Sequence, residues 1–193
     1  MNDQPLRLAL IIASTRQGRF GAAIGRWAAR VAGGRPEFTA DVIDLAGLSL
    51  PADLSGSAAG ARLAGRIGDA DAVLIVTCEY NHGYPASLKL AIDTVREEWA
   101  AKPVAFVSYG GVAGGLRAVE QLRQVLAELH AVTLRDTVSF HFPHDHVDPD
   151  GRVTDPAVAK AAESAAHTLF DRLTWWGTAL RAARAAQPYA LAG

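Results

Sequence analysis

Apolar blocks alternate along the chain with polar or glycine-rich turns and with apolar stripes at helical spacing. Leu6 to Ala13 is apolar almost throughout, as suits a strand covered on both faces of a sheet. Ser14 to Gly21 is polar, after which Ile24, Trp27, Ala28 and Val31 recur at helical spacing up to Gly33-Gly34. Phe38 to Leu45 predicts a second strand. Pro51 to Gly60, rich in Ser, Gly and Ala, predicts a loop before a weak helix through Leu63 and Ile67. The run Val73 to Val76 predicts a third, fully buried strand that ends at Thr77-Cys78. Pro85 then opens a helix with a stripe of Leu88, Ala91, Ile92, Val95 and Trp99. Pro103 to Ser108 gives a fourth strand. The loop Tyr109 to Gly115 follows, then a helix on Leu116, Val119, Leu122, Leu126 and Leu129. Val132 to Phe142 predicts strand five, and an Asp150-Gly151 turn follows it. Thr154-Asp155-Pro156 caps a last helix whose apolar face is Leu169, Leu173, Trp176 and Leu180. Five strands alternating with five helices predict one doubly wound α/β domain over 1–193, with about 186–193 as a loose C-terminal tail.

Composition narrows the class of partner. At 193 residues, 50% hydrophobic and 20% charged, the chain suits one domain with a real core. A formal charge of −1 leaves no basic stripe for nucleic acid. The single cysteine, Cys78, excludes an internal disulfide and a cysteine zinc cage. Asp3 and Pro5 stand where a signal peptide carries its basic region, and no segment reaches the roughly 18 apolar residues of a membrane span. A soluble, cytoplasmic protein with no membrane contact is the expectation.

Three loops that follow strands could carry chemistry. Ser14-Thr15-Arg16-Gln17-Gly18-Arg19-Phe20-Gly21 joins a strand to a helix N-terminus, where free N–H groups attract an anion and two arginines can fork onto a phosphate. It is not a Walker loop, and its glycines do not give G-x-G-x-x-G. Asp44, at the end of the second strand, could imitate a ribose-binding acid but lacks those glycines. The plainer alternative is a solvated turn with two surface arginines. Glu79 to Tyr84 carries two tyrosines suited to a flat ring, or else covers the sheet end with Glu79 and Asn81 as turn residues. The glycines after Ser108 allow backbone to approach a ligand closely, or simply make a flexible turn. Together the three outline a cleft for a phosphate attached to a flat ring. His141, His144 and His146 with Asp145 and Asp148 read as a solvated loop, with no metal expected, and the calcium-loop pattern fails at both ends. Cys78 reads as a packing thiol, and Trp175 and Trp176 as core or subunit interface. There is no G-x-S-x-G elbow.

STRQGRFG, CEYNHGYPASLKLAID and SYGGVAGG, in this order after strands one, three and four, resemble the NADPH-dependent FMN reductase family of the flavodoxin-like superfamily. The resemblance covers about Leu6 to Leu129. It implies a three-layer sandwich whose five-stranded parallel sheet has the order 2-1-3-4-5, with helices on both faces. It assigns the FMN phosphate to Ser14, Arg16, Arg19, Phe20 and Gly21. Glu79, Tyr80 and Asn81 fall on the isoalloxazine ring, and Ser108, Tyr109, Gly110 and Gly111 on its pyrimidine side. Cys78 stands where the family usually has proline, and Leu90 where asparagine is common. The implied enzyme passes hydride from NADPH (or NADH) to flavin N5 and on to free flavin, a quinone, an azo compound or a metal oxyanion. The cofactor would do the chemistry, so no catalytic acid or nucleophile is expected; Tyr80 and Tyr109 would tune stacking and access. A homodimer or homotetramer is implied, with His82 to Trp99 at the contact. The alternatives are a flavodoxin-type electron carrier, which is usually strongly acidic, a dinucleotide-binding dehydrogenase, and a flavin-sensing module.

Overall fold

The computed structural model describes residues 4–190. Ten main elements alternate along it: β1 (Leu6–Ile12), α1 (Gly21–Gly33), β2 (Phe38–Asp44), α2 (Ala58–Asp69), β3 (Ala72–Cys78), α3 (Ala86–Thr94), β4 (Pro103–Gly110), α4 (Leu116–Glu128), β5 (Val132–His141) and α5 (Pro156–Ala186). All strand pairs are parallel and the sheet order is β2-β1-β3-β4-β5, the flavodoxin-like topology that the resemblance implied. β1, β3 and β4 are therefore central neighbours, and their carboxyl ends face one edge.

Alternation along the strands divides the core in two. Leu8, Leu10, Leu74, Val76, Ala105 and Val107 pack under α1 and α5 with Ile24, Trp27, Leu169 and Phe170. Ala9, Ile11, Val73, Ile75, Val104 and Phe106 pack under α2, α3 and α4 with Leu63, Ile67, Ile92, Trp99 and Leu122. Both faces of β3 are covered, which is why its sequence is apolar without a period.

Several boundaries differ from expectation. α3 stops at Thr94: Val95 is extended and Trp99 sits in a separate short turn, its indole N–H donating to the Ile92 carbonyl (3.3 Å). Two β-branched residues in succession, Thr94 and Val95, weaken the helix there, while burial of Val95 and Trp99 is kept by the turn. β5 ends at His141 because Phe142 takes a positive φ of 43°. The face of α5 is buried only as far as Gly177; Trp175 is 63% exposed and Trp176 36%, so neither is core in this chain. Their rings meet edge to face, 5.0 Å apart. Within the stretch expected as a loose tail, the Tyr189 hydroxyl hydrogen-bonds His130 Nδ1 (2.8 Å), and residues 191–193 lie outside the described ones. Among the described residues no helix is long and apolar enough to cross a membrane.

Two features away from the site govern stability. Gly151, in the turn after β5, has φ +80°, and a Cβ there would collide with the Ala23 carbonyl of α1. Arg26 and Arg30 of α1 donate to the carbonyls of Pro149, Asp150 and Gly151 and hold the turn down. At the opposite end of the sheet from the three loops, buried Lys102 donates through Nζ to the Gly68 (2.8 Å) and Ala70 (2.5 Å) carbonyls. Burial first, and then the charges of Arg184 and Arg7, lower its pKa from 10.5 to about 8 against the opposing pull of Asp71 and Asp69. Between those values the unfolded chain holds a proton that the folded chain has lost, so stability rises with pH. The unfolding free energy from urea titration should therefore climb from pH 8 to pH 10 by about 2 kcal/mol from this one group. Above the ordinary tyrosine pKa of 10.0 the trend should turn down, because burial keeps the Tyr109 phenol protonated only in the folded state. Lys102→Met should flatten the rise; a rise of the same size in that variant would mean that another group titrates.

Candidate functional site

The first loop leaves β1 fixed at its root. Ala13 N–H donates to the Val76 carbonyl (2.9 Å), and Ser14 is buried, sharing a hydrogen bond of 2.7 Å between its Oγ and the Tyr80 hydroxyl. That contact joins the loop after β1 to the loop after β3. Arg19 turns back across the loop, donating through Nη1 to the Ser14 carbonyl (2.7 Å) and to Asp44 Oδ1 (2.7 Å) and through Nη2 to Asp44 Oδ2 (2.5 Å). Asp44 also accepts from Ala46 N–H (3.0 Å). The guanidinium fork of Arg19 is thus spent on the end of β2. Arg16 differs: it is exposed, and its side chain has no hydrogen-bond or ion-pair partner among the described residues. Burial raises the Tyr80 phenol above its usual pKa, while the Ser14 hydrogen bond and the Arg16 charge pull the other way, which puts Arg16 in electrostatic reach of the same spot. Phe20, the residue before α1, supplies no side-chain cap, so the first-turn N–H groups of Gly21 and Ala22 are left for another acceptor. The Phe20 ring packs against His144 (4.4 Å) and nears Tyr109 (6.5 Å).

The loop after β3 is a miniature hairpin. Tyr80 and Gly83 exchange both backbone hydrogen bonds (2.9 and 3.1 Å), with Asn81 at φ 48° and His82 at φ 75° between them. Two successive positive φ values belong to a type I′ turn. Gln121 of α4 donates to the His82 carbonyl (3.0 Å) and anchors the tip. Glu79 pairs through Oε1 with Arg117 Nε at 2.9 Å, its side chain only 10% exposed. Its other oxygen, Oε2, is buried with no hydrogen-bond partner among the described residues.

The loop after β4 folds on its glycines. Gly114 and Gly115 have φ of 57° and 85°, and Ser108 and Ser139 both donate to the Gly114 carbonyl (2.8 Å each). Gly110 lies against Glu79, and the Glu79 N–H donates to the Tyr109 carbonyl (3.3 Å). Val112 at the tip is 80% exposed. Tyr109 itself turns to the other face of the sheet and is buried under α1.

The three loops therefore meet at one edge. Ser14 and Tyr80, and Glu79, Tyr109 and Gly110, are linked by the contacts above, the Tyr109 hydroxyl ends beside Gly21, and Arg16 lies near them; Asn81 and Gly111 form the outer rim, and Ser108 is buried behind the third loop. Arg117, Gln121 and His144 were not singled out for this site from sequence. Arg117 follows the glycine run by two positions, the one local hint of its place. Among the described residues no group of three or more His, Cys, Asp or Glu side chains is assembled for a metal, and His141 Nδ1 meets the Val112 carbonyl (3.0 Å).

A five-stranded parallel sheet of order 2-1-3-4-5 with helices on both faces defines the flavodoxin-like class of α/β proteins, and its carboxyl edge here carries an uncapped helix start and an arginine without a partner among the described residues. The chain belongs to the NADPH-dependent FMN reductase family, whose family model matches residues 6–145. It is 30% identical to an NAD(P)H-dependent FMN reductase of Schizosaccharomyces pombe, over 79% of this chain and 80% of that one. It is 34% identical to a quinone reductase of Escherichia coli K12, over 68% of this chain and 75% of that one. Among solved structures, the flavoenzyme NAD(P)H:(acceptor) oxidoreductase FerB of Paracoccus denitrificans superposes with a TM-score of 0.75 at 26% identity, covering 90% of this chain and 97% of that one. The protein is accordingly an enzyme of FMN- and NAD(P)H-dependent reduction.

Two observations fit the residues to FMN. A Cβ on Gly21 would stand 2.6 Å from the Tyr109 hydroxyl, so only glycine lets that hydroxyl and the Ser14 side chain reach the uncapped start of α1. The orphaned Glu79 Oε2 is an acceptor that suits a ring carrying an N–H donor.

Proposed function

We propose that the protein is an FMN-dependent NAD(P)H oxidoreductase that reduces small acceptors such as quinones, free flavin or azo compounds. FMN, when bound, would supply the redox chemistry between NAD(P)H and the acceptor, and the residues of this chain would hold and orient it. Arg16 and the uncapped N–H groups at Gly21 and Ala22 hold the phosphate dianion, with Ser14 and Phe20 shaping the cradle. Arg19 serves at one remove: clamped on Asp44, it fixes the Ser14 carbonyl and with it the course of the loop. Glu79, Tyr80 and Asn81 line the ring, kept in place by the type I′ turn and by Arg117. Gly110 and Gly111 let backbone approach the pyrimidine edge, with Ser108 holding the loop from behind. The apolar rim of Val112, Leu116 and Phe142 supports a homodimer or homotetramer in which a second copy covers the site. The unpaired thiol of Cys78 fits the reducing cytoplasm.

The single observation behind this function is the Ser14–Tyr80 hydrogen bond, which ties the loop after β1 to the loop after β3. The test is the visible spectrum of purified protein reconstituted with FMN, followed by NADPH or NADH addition under nitrogen. Flavin bands should bleach, and a benzoquinone should restore them over many cycles. Bleaching without turnover would favour a sensing module, and protein that retains no flavin would sink the proposal.

A further inference from the structure

Tyr109 is the site candidate whose side chain leaves its own loop. The pleat of β4 sends Ser108 to the α4 side and Tyr109 to the α1 side, where only 6% of the residue is exposed. No face of its ring is open to a stacking partner. Its hydroxyl ends against the first residue of α1, where a Cβ on Gly21 would stand 2.6 Å away. We propose that the Tyr109 O–H donates to the phosphate of FMN at the start of α1, so that this residue of the third loop serves the phosphate and not the ring. The inference rests on the FMN function above and deepens it by assigning one further binding residue.

A phosphate dianion only accepts hydrogen bonds, so its cradle must be built from donors. The N–H groups of Gly21 and Ala22 and the Arg16 guanidinium are donors without partners among the described residues. A phenol qualifies only while it keeps its proton. Burial, with the Cys78 thiol and the Tyr80 phenol nearby, holds the Tyr109 pKa well above its ordinary value, so the group stays a donor throughout the working range. The Ser14 hydroxyl next to it is shared with Tyr80. The hydroxyl thus stands among polar groups that converge on the helix start, while the rest of the ring is packed in the core.

Tyr109→Phe keeps the packed ring and removes only the O–H. Titration of apo-protein with FMN and with riboflavin, followed by quenching of flavin fluorescence, separates the two ends of the ligand. FMN affinity should fall about tenfold, the scale of one charge-assisted hydrogen bond, with riboflavin affinity unchanged. Equal loss for both flavins, or no loss for FMN, would overturn the assignment of Tyr109. Wild-type protein that binds neither flavin would instead overturn the FMN function itself. Thermal unfolding of the apo-variant reports whether the fold survives. If Tyr109→Phe does not fold, Gly21→Ala takes its place: the added methyl pushes the phenol aside, and FMN but not riboflavin should be lost. Unchanged FMN binding in Gly21→Ala overturns the proposal equally.

Discussion

Arg16→Ala should weaken FMN binding by roughly 10- to 100-fold while riboflavin binds as before, because a charge-assisted contact to phosphate is worth about 1.5–3 kcal/mol. The side chain is exposed and has no partner among the described residues, so its removal leaves the fold intact. The loss should shrink as ionic strength rises, since an exposed charge is screened over about 10 Å at 0.1 M salt. Parallel titrations at low and high salt measure both effects. FMN affinity that is untouched by the substitution would remove the phosphate from this loop.

Gly151→Ala should cost about 3 kcal/mol, combining a left-handed backbone that alanine dislikes with a clash against main chain. For a chain of this size that is a fall of about 6–12 °C in the melting temperature, read by calorimetry. The colliding atom is the Ala23 carbonyl oxygen, inside α1, and it cannot rotate away as a side chain would. The damage should reach the site as well, because α1 carries Gly21 at its start and the same turn is tied to Arg26 and Arg30. Flavin affinity and melting temperature are expected to fall together here, whereas Arg16→Ala separates them.

The layered fold was legible because strands covered on both faces leave an unmistakable mark, as Ala72–Cys78 does. Strand order came with the resemblance and not with the pattern, since periodicity says which residues are buried and nothing about which strand lies beside which. Trp99 shows the limit of a helical stripe: it is buried where the spacing put it, yet outside the helix, because burial is what the pattern encodes. The three loops were legible as polar interruptions after strands. The fate of Arg19 was not, because its partner Asp44 lies 25 residues away on a strand whose closeness only the folded sheet creates. Arg117 and Glu79 are joined in the same long-range way. The direction of Tyr109 depends on the phase of a strand that runs on into what the sequence marks as loop: β4 extends to Gly110, past the expected end at Ser108.

The alternation at the end of β4 has a consequence for how such a protein can be altered. Ser108 braces the glycine loop on one side of the sheet, and its neighbour Tyr109 abuts the helix start on the other. Adjacent codons therefore serve separate structures, the glycine loop through one and the start of α1 through the other. A lineage or an engineer could retune either without disturbing the other, while a single inserted residue upstream in the strand would exchange the two and spoil both at once.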